Sequence, residues 1–577
     1  MGIYTTLPEE IEEVDVVVAG GGTAGCVVAS RLADADPKLT ILIIESGKNN
    51  YHVPTVNHPL LWKDNHIPDN KRVFFHVAVK EEQLADRESI VQVGNTLGGG
   101  SSVNLMMYTR AQRCDYDSWN TEGWAAGDLL SYLKKFETYH GLIGKEHHGY
   151  DGPVQVSHGT FYSARAERDF VHAMEEVGFC EVEDLQDLDS IGVARGRKFI
   201  SPDGMRQDVA HTYLHPRLQD GKHPNLHVLV ESQVIKVILD DGRVSAVEYR
   251  PNPTMQSNIA QTVRTVKVKK LAVLSCGTLG TPSVLERSGI GNPDVLKKAG
   301  ISGPSAVDLP GVGHDYQDHH ITIYGYKSDL TPDLTTDGIH SDLVDVPALL
   351  ARRDNMLGWN GIDASSKVRP TSSEVDDLGP AFRDAWDKDF KDPGKPLIGG
   401  IFATDLLGDR SLAPPGQYFS MAAYTSYPYS RGYIAYKKQR EVARRMAIHQ
   451  GELPYRHPVF PPESKASYTI DVPGKGASSS FSKKKEDIEY SAEDDAIIEK
   501  FIRENLTTCW HGIGTCKMAP REQLGVVDKN LGVYGVSGLK IADLSIAPEN
   551  VSANTMSTAL AIGEKAADIF IRELGLD

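Results

Sequence analysis

The feature that most constrains the fold is a glycine-rich turn near the start of the sequence. The apolar run Asp15–Ala19 leads into Gly20-x-Gly22-x-x-Gly25, and the Ala/Val-rich segment 26–32 follows it. This order of strand, tight turn and helix is typical of a dinucleotide-binding unit. The first glycine permits the turn, the second lets the backbone approach a diphosphate, and the third allows close packing of helix and strand. The free N–H groups of the helix N-terminus then face the phosphates.

A second predicted strand, 39–44, ends in Glu45, about twenty residues after the last glycine, where a ribose-binding carboxylate is expected. A carboxylate at this position suits ribose hydroxyls and would repel a 2′-phosphate. The alternative is a glycine turn in another kind of α/β protein, which the spacing to Glu45 disfavours. The N-terminal unit is therefore predicted to bind a dinucleotide.

Length and charge limit the class of protein. A chain of 577 residues is too long for one compact core, so we expect two or more domains. The 78 acidic and 61 basic residues give a net charge of −17, which disfavours nucleic acid and anionic membrane as partners. There is no apolar run long enough to span a membrane and no signal-peptide core at the start, so we expect a cytoplasmic protein. The six cysteines are too widely spaced to suggest a disulfide framework or a zinc cluster.

The remaining patterns predict a mixed α/β fold with two sheets. We expect an irregular segment at 51–93, two strands within 225–249 joined at Asp240-Asp241-Gly242, a further strand pair at 263–275, strands of a different sheet at 322–327, 397–406 and 418–426, an exposed loop at 475–485, and a helix capped by Ser491 and Asp494. A strand ending in Asp543 and a helix over 554–571 return to the style of the nucleotide-binding part. The fold class is thus α/β: a discontinuous Rossmann-like domain (1–155, 200–320 and 505–577) plus an α+β substrate domain with an antiparallel sheet (156–199 and 321–504).

Several ordered stretches resemble the glucose–methanol–choline (GMC) family of FAD oxidoreductases. They are Gly94–Asp117 with Leu97-Gly98-Gly99-Gly100-Ser101-x-Val103-Asn104-x-x-x-Tyr108, Gly277–Gly291, Asp308–Gly313 with Gln317-Asp318-His319, and Ser430-Arg431-Gly432. With the N-terminal turn, these matches cover nearly the whole chain. The resemblance implies that the dinucleotide is FAD and that the protein is an oxidoreductase acting on a small molecule.

The resemblance also implies which residues contact FAD. The expected cofactor-binding residues are Gly20, Gly22, Thr23, Ala24, Gly25, Glu45, Leu97, Gly99, Gly100, Ser102, Asn104, Met106, Met107, Val234, Trp510, Asp543, Asn554, Thr555 and Met556. Some members attach FAD covalently through a histidine one residue before the asparagine of the first signature. Here that position is Val103, which has no nucleophile, so we expect noncovalent FAD.

The segment Cys509–Met518 resembles the part of the family that supplies its catalytic histidine, which here is His511. A histidine near neutral pKa can accept a substrate proton as hydride leaves for flavin N5. The alternative is a core histidine bonded to the backbone. The family's second catalytic position falls on Asn554, whose amide can orient a substrate oxygen but can also serve as a helix N-cap.

Within the family, the length, the 510–518 segment and the N-terminal region most resemble the fungal formate oxidases. Those enzymes oxidise formate to carbon dioxide, reduce oxygen to hydrogen peroxide and carry 8-formyl-FAD, so this modified flavin is also considered. Arg87 matches an arginine that they place near the flavin, which makes it a third candidate catalytic residue. Their second catalytic position is expected to be arginine, and asparagine there should weaken formate binding by about 1.5–3 kcal/mol.

The substrate therefore stays open at this point, between formate and a small alcohol, with oxygen as the second substrate. An FAD dehydrogenase with another electron acceptor and an FAD-containing lyase are further alternatives. His314, His319 and His320 lie near two aspartates, which allows a metal site. Because they fall in a family motif, we expect a hydrogen-bonded domain junction there and no metal.

Overall fold

The computed structural model of the protein describes residues 2–142, 146–301, 307–427, 432–467 and 486–576. The exposed loop predicted at 475–485 and the motif residues Ser430 and Arg431 lie outside the described residues. No helix within the described ranges is long and apolar enough to cross a membrane.

A largely parallel sheet carries the N-terminal glycine turn. From one edge to the other its strands are Ile3–Tyr4, Leu226–Leu229, Ile41–Ile44, Glu13–Ala19, Arg264–Leu274, Arg243–Pro251 and Ser232–Asp240, and Leu539–Ile541 also pairs with Arg264–Leu274. The pairs on either side of Glu13–Ala19 are parallel, whereas the last three strands form an antiparallel meander. The centre of this sheet is buried on both faces, which explains its continuous Val/Ile/Leu runs.

A second, antiparallel sheet is formed by later parts of the chain. Its strands in order are His449–Glu452, His320–Ser328, Gln417–Thr425, Ile398–Ala403, Ile362–Val368 and Gly192–Arg195, with Thr507–Thr508 paired to His320–Ser328. The three strands predicted between 322 and 426 are therefore confirmed. The α/β fold class with an additional antiparallel sheet is confirmed as well.

Helices Thr23–Ala35 and Gly277–Arg287 pack on the first sheet, and Ala164–Glu176 and Gly432–Arg445 pack on the second. The α-helices in the described residues are Thr23–Ala35, Pro54–Asn57, Gly100–Val103, Arg113–Asp117, Ala126–Lys135, Ala164–Glu176, His215–Gln219, Gly277–Arg287, Pro293–Lys298, Asp337–His340, Val346–Arg352, Ser372–Asp377, Pro380–Ala385, Gly432–Arg445, Ala492–Asn505 and Met556–Leu574. The first and last of the long helices pack closely, because a Cβ added to Gly563 would lie 3.0 Å from Val27 Cβ. The predicted cap of Ala492–Asn505 is confirmed: Ser491 Oγ accepts from Asp494 N, and the Asp494 carboxylate accepts from Ser491 N.

Two local predictions are wrong. The strand pair expected at 263–275 is a single strand, Arg264–Leu274, because its pairing with Glu13–Ala19 continues past a register shift between Val268 and Leu271. The segment 51–93, expected to be irregular, contains an antiparallel hairpin of Val73–Glu81 and Arg87–Gly94. The hairpin predicted at Asp240–Gly242 is confirmed, since strands Ser232–Asp240 and Arg243–Pro251 flank that turn.

Candidate active site

One cavity of about 1270 Å³ is lined by residues of both sheets. Ile44 and Val234 line it from the first sheet, and Ile321, Ile401 and Ala422 line it from the second. Loops that follow strands of the first sheet supply part of the remaining wall, including Gly20, Glu45, Ser275 and Asp543. The cavity therefore lies between the predicted nucleotide-binding part of the chain and the antiparallel sheet.

Two glycine loops meet at one wall of this cavity. Gly98 N donates to Gly21 O at 2.8 Å, and a Cβ added to Gly99 would lie 2.8 Å from Gly22 Cα. Gly20 has a φ of 100°, and a Cβ there would lie 2.3 Å from Ser275 O. A Cβ is thus excluded at Gly20 and Gly99, and the backbone of Gly20, Gly22 and Gly99 faces the cavity without side chains.

Glu45 holds the first glycine loop to the segment that follows its own strand. Its Oε2 accepts from Gly21 N and its Oε1 from Gly47 N, each at 2.8 Å. Burial raises the pKa of the carboxyl group, and the backbone N–H groups oppose that shift. Glu45 lines the cavity, so its predicted contact with ribose is sterically open.

Most predicted cofactor-binding residues line the cavity, but three do not. Gly25, Leu97 and Ser102 lie behind the wall. Gly25 is pressed against the turn, because an added Cβ would lie 2.2 Å from Gly20 O. Ser102 Oγ donates to Leu97 O at 2.7 Å within the buried loop. The structure thus places these three residues where they shape the two loops, and their predicted cofactor contacts stay predictions.

Two helices begin at the cavity without a side-chain cap. Thr23–Ala35 starts after Gly22, and Met556–Leu574 starts after Thr555. Their first N–H groups have no intrahelical partner and carry the positive end of the helix dipole. Thr23, Ala24, Thr555 and Met556 line the cavity, so both ends are available to negatively charged groups of a ligand.

The loop after Gly100–Val103 is held beside the second of these helices. Asn104 Nδ2 contacts Met556 Sδ at 3.1 Å, and Asn104 Oδ1 accepts from Met106 N at 3.0 Å. Met106 has a φ of 58°, a conformation that this local hydrogen bond supports. Asn104, Met106 and Met107 all line the cavity, as do Gly100 and Val234.

Asp543 follows the strand Leu539–Ile541 and accepts hydrogen bonds from neighbouring loop and helix residues. Its Oδ2 accepts from Gly277 N at 2.9 Å and from Thr281 Oγ1 at 2.6 Å, and its Oδ1 accepts from Ser545 N. Burial raises the pKa of this carboxyl group. Asp543 lines the cavity beside the glycine loops, where its predicted cofactor contact stays a prediction.

His511 and Asn554 meet on the cavity wall. Asn554 Nδ2 lies 3.3 Å from His511 Nε2. Thr109 Oγ1 accepts from the main-chain N of Asn554 at 2.9 Å and donates to Asn554 Oδ1 at 3.0 Å. This pair of bonds turns the amide nitrogen towards the histidine. Asn554 is not the N-cap of Met556–Leu574, since Thr555 takes that position without a side-chain bond.

His319 is a residue of this site that sequence reasoning missed. Its Nδ1 lies 2.9 Å from His511 Nδ1, and the two rings are nearly perpendicular. The expected hydrogen-bonded junction at 317–319 exists in part: Asp318 Oδ1 accepts from His511 N at 2.9 Å, and Gln317 Nε2 donates to Pro548 O. The sequence signal for this residue was the motif Gln317-Asp318-His319, because a histidine just before a strand can face the neighbouring loop.

Burial controls the protonation of both histidines. It lowers the pKa of His511 to about 4, with Asp318 opposing the shift. Burial and the nearby His511 also lower the pKa of His319 well below its usual range. Both imidazoles are therefore neutral at physiological pH, and each carries a single N–H.

Trp510 stands at the edge of the same site. It lines the cavity, has a φ of 59° and is 39% exposed. Its ring stacks on His66 with centroids 5.9 Å apart, and His66 Nε2 donates to Val103 O at 2.9 Å. Val103 itself lines the cavity, as expected for the residue next to Asn104.

Arg87 lies outside this cavity, so the geometry does not support its predicted catalytic role, which stays a prediction. Its Nη2 donates to the carbonyls of Arg503 and Leu506, each at 2.8 Å. It does not line the cavity. The guanidinium instead binds the unpaired carbonyls at the C-terminal end of Ala492–Asn505, where a cation is favoured.

The wall near His511 and Asn554 is mostly apolar. Leu105, Met107, Ile321, Ile323, Ile401, Leu407 and Ala422 line the cavity and belong to one hydrophobic cluster. The lysine and arginine residues that line the cavity are Lys63, Arg287, Arg410 and Arg456. Lys63 pairs with Asp405 and Arg410 with Asp337, while Arg287 and Arg456 donate to main-chain carbonyls. In the part of the chain that the structure describes, none of the four bonds to His511 or Asn554.

The histidines at 314–320 do not form a metal site in the structure. Within the described ranges, no group of three His, Cys, Asp or Glu side chains could hold a metal ion. His319 Nδ1 is used by His511. The backbone that faces the cavity at Gly20, Gly22 and Gly99 and the two uncapped helix ends instead fit a dinucleotide. Such a ligand has a diphosphate and a redox-active ring that gains negative charge.

Sequence-family models, relatives and solved structures similar to this chain all concern oxidoreductases. The N-terminal and C-terminal sequence models of the GMC oxidoreductase family match residues 14–321 and 428–563. Alcohol oxidases of Candida boidinii and Pichia angusta are each 37% identical, over 98% of this chain and 96% of theirs. A solved structure of a formate oxidase variant from Aspergillus oryzae RIB40, studied for FAD modification, has a TM-score of 0.79 at 22% identity and covers 98% of this chain and 99% of its own. That identity is low enough that it shows the shared fold alone.

Proposed function

Because the chain belongs to the GMC oxidoreductase family, an FAD-dependent family of enzymes, we propose that it is an oxidase of small alcohols that uses oxygen. The observation that carries this proposal is the pair of His511 and Asn554, a neutral base and an amide donor 3.3 Å apart on an apolar wall. Such a pair suits an uncharged hydroxyl substrate. The overall reaction would convert a primary alcohol and O2 into an aldehyde and H2O2.

FAD would be held by the glycine loops, the two uncapped helix ends and the Asn104–Met107 loop, and it would supply the acceptor for the hydride from the alcohol carbon. On substrate binding, the alcohol hydroxyl would replace the Asn554 amide as the hydrogen-bond donor to His511 Nε2, which would then accept the hydroxyl proton because its low pKa keeps it unprotonated. Asn554 Nδ2 would donate a hydrogen bond to the alcohol oxygen and fix its distance from the base.

The chain's own contacts keep these groups in place. Asp318 holds the main chain of His511, and Thr109 holds the amide of Asn554. The apolar side chains around them exclude water from the reacting atoms, which strengthens each remaining polar contact. The alcohol oxidases named above, at 37% identity over nearly the full chain, support the same substrate class.

Formate, expected from the sequence resemblance, is less well supported as the substrate. A carboxylate needs a cation or several N–H donors when it leaves water. The lysine and arginine side chains of the cavity are engaged with carboxylates or carbonyls, and the second catalytic position holds the amide of Asn554.

The test is substrate-dependent oxygen consumption by the FAD-loaded protein. Methanol, ethanol, 1-butanol and formate are compared in an oxygen electrode, with peroxide measured in parallel. We expect one H2O2 for each O2 with an alcohol and little turnover with formate. Fast formate turnover would support a formate oxidase, and turnover only with an artificial acceptor would support a dehydrogenase. If no donor bleaches the flavin anaerobically, the lyase alternative gains support.

We also propose that FAD is bound noncovalently at Val103, since valine offers no nucleophile. Acid precipitation should release all flavin into the supernatant. The absorption spectrum of the released flavin would distinguish FAD from 8-formyl-FAD. Flavin that stays with the precipitated protein would contradict the proposal.

A further inference from the structure

His319 lies behind the cavity wall and forms a hydrogen-bonded pair with His511, which lines the cavity. We propose that His319 is a positioning residue: its Nδ1 accepts the hydrogen of His511 Nδ1 and thereby leaves Nε2 of His511 unprotonated on the cavity side. This inference deepens the proposed function and rests on it, since it specifies how the base of that reaction is prepared. It follows from the hydrogen-bond directions around the two rings.

The directions can be worked out from Thr109. Its hydroxyl accepts the main-chain N–H of Asn554 and donates to Asn554 Oδ1. The amide therefore presents Nδ2 to His511 Nε2, and an N–H group at that position needs a lone pair opposite. A neutral imidazole has one N–H, so the hydrogen of His511 is on Nδ1.

The next contact continues the same order. His511 Nδ1–H faces His319 Nδ1 at 2.9 Å, so His319 must accept there and carry its own hydrogen on Nε2. In the reverse arrangement, His511 Nε2–H would point at the Asn554 amide N–H. Two donors would then face each other at 3.3 Å. Exchanging the oxygen and nitrogen of the Asn554 amide would remove this conflict, but the hydroxyl hydrogen of Thr109 would then lose its acceptor, Asn554 Oδ1.

The His319 ring is held in the orientation that this role requires. It is fully buried and stacks on Tyr424 with centroids 5.2 Å apart and planes 27° from parallel. Its plane is 87° from that of His511, so its in-plane lone pair can be directed at the edge of the neighbouring ring. Rigid packing of the acceptor is what a fixed tautomer needs.

The other titratable groups packed around the pair do not take this role. Asp318 accepts the main-chain N–H of His511 and the hydroxyls of Tyr316 and Thr508. Burial raises the pKa of Tyr424 and of Cys509, so both stay neutral, and it lowers the pKa of His320. A neutral acceptor orients His511 without raising its pKa as a carboxylate would.

The test compares His319→Asn with His319→Leu, which have the same number and arrangement of side-chain heavy atoms. Asparagine Oδ1 can occupy the position of the histidine Nδ1 and accept, whereas leucine cannot. We expect the rate of anaerobic flavin reduction by alcohol to fall by about 10²-fold in His319→Leu, the usual contribution of a general base, and to stay within about tenfold in His319→Asn. His457→Gln is the matched control, because His457 is another buried histidine but does not line the cavity.

A second readout does not depend on turnover. Histidine-specific ¹⁵N labelling and solid-state NMR report which ring nitrogen carries the hydrogen, with the His511 signals assigned from their loss in His511→Gln. We expect protonated Nδ1 and unprotonated Nε2 for His511 in the wild type and in His319→Asn. A protonated Nε2 in the wild type would overturn the proposal, as would equal rates in the two His319 variants. If no alcohol is oxidised, the proposed function fails, while the ¹⁵N shifts still decide the tautomer. The ¹⁵N shifts of the wild type also decide the tautomer of His511 if His319→Leu does not fold.

Discussion

Replacing Asn554 with aspartate tests the electrostatics of the base directly. In the wild type, burial lowers the pKa of His511 to about 4, so the base form is present above that pH and is lost as the pH falls through it. In Asn554→Asp, a carboxylate oxygen replaces the amide nitrogen that lies 3.3 Å from Nε2. At an effective dielectric constant of ~20, two unit charges at that distance attract by about 5 kcal/mol. This is an upper limit of roughly 3.7 pKa units at 1.36 kcal/mol per unit.

The expected shift is smaller, because the new carboxyl group is itself buried and titrates together with the imidazole. Opposite charges at this range usually raise the pKa of a histidine by about 1–3 units. The acid limb of the rate of flavin reduction, measured anaerobically by stopped flow as kcat/KM against pH, should therefore move upward by about that amount. The sign is fixed: the carboxylate stabilises the imidazolium, so the base is lost at higher pH.

The control is Asn530→Asp, which adds the same charge at an exposed position outside the cavity. It should leave the acid limb unchanged. An Asn554→Asp variant that retains FAD and reduces it, yet shows the wild-type acid limb, would contradict this prediction. That result would mean that His511 is not the group whose ionisation controls the reaction.

Three further predictions concern other parts of the structure. Arg87→Met should lower the free energy of unfolding of the holoprotein by about 1–3 kcal/mol, because two hydrogen bonds from a charged group to carbonyls are lost, while KM for alcohol stays constant; a selective loss of kcat would restore the catalytic role. Gly99→Ala should weaken FAD binding by about tenfold or more in equilibrium dialysis, since its φ of 54° and its contact with Gly22 exclude a Cβ. A normal FAD content would contradict the proposed role of the two glycine loops in FAD binding. Asn554→Arg should improve formate binding by ~1.5–3 kcal/mol and weaken alcohol oxidation, as measured by steady-state kinetics with both substrates; no gain with formate would count against a simple arginine-for-asparagine difference.

Local sequence patterns predicted most of the fold. The Gly20–Gly25 turn, the Asp240–Gly242 hairpin and the cap at Ser491 each depend on residue types within a few positions. The hairpin of Val73–Glu81 and Arg87–Gly94 was missed because its turn lacks glycine, proline and asparagine. Ala85 and Asp86 adopt positive φ values of 57° and 55° there, which the sequence does not indicate at Ala85.

The site was predicted less completely, because its contacts join distant parts of the chain. The distances between His511 and its partners could not be derived from either motif alone: His319 lies 192 positions away. Arg87 shows the same limit. Its match to an arginine near the flavin of formate oxidases suggested a catalytic role, but its partners in the structure are carbonyls more than 400 positions away, which no spacing rule indicates.

The way in which His511 is kept unprotonated also bears on the substrate. A base can be kept neutral at physiological pH by burial or by nearby cations, and here burial is the larger cause. The same loss of solvent that disfavours an imidazolium disfavours any isolated ion placed beside it. An alcohol enters such a site without charge and becomes charged only as its proton moves to Nε2, whereas formate would have to enter as an anion facing the neutral His511 and the amide of Asn554. For this reason, burial of the base and preference for a neutral substrate are one property of the site, and substituting Asn554 with a charged residue should alter both together.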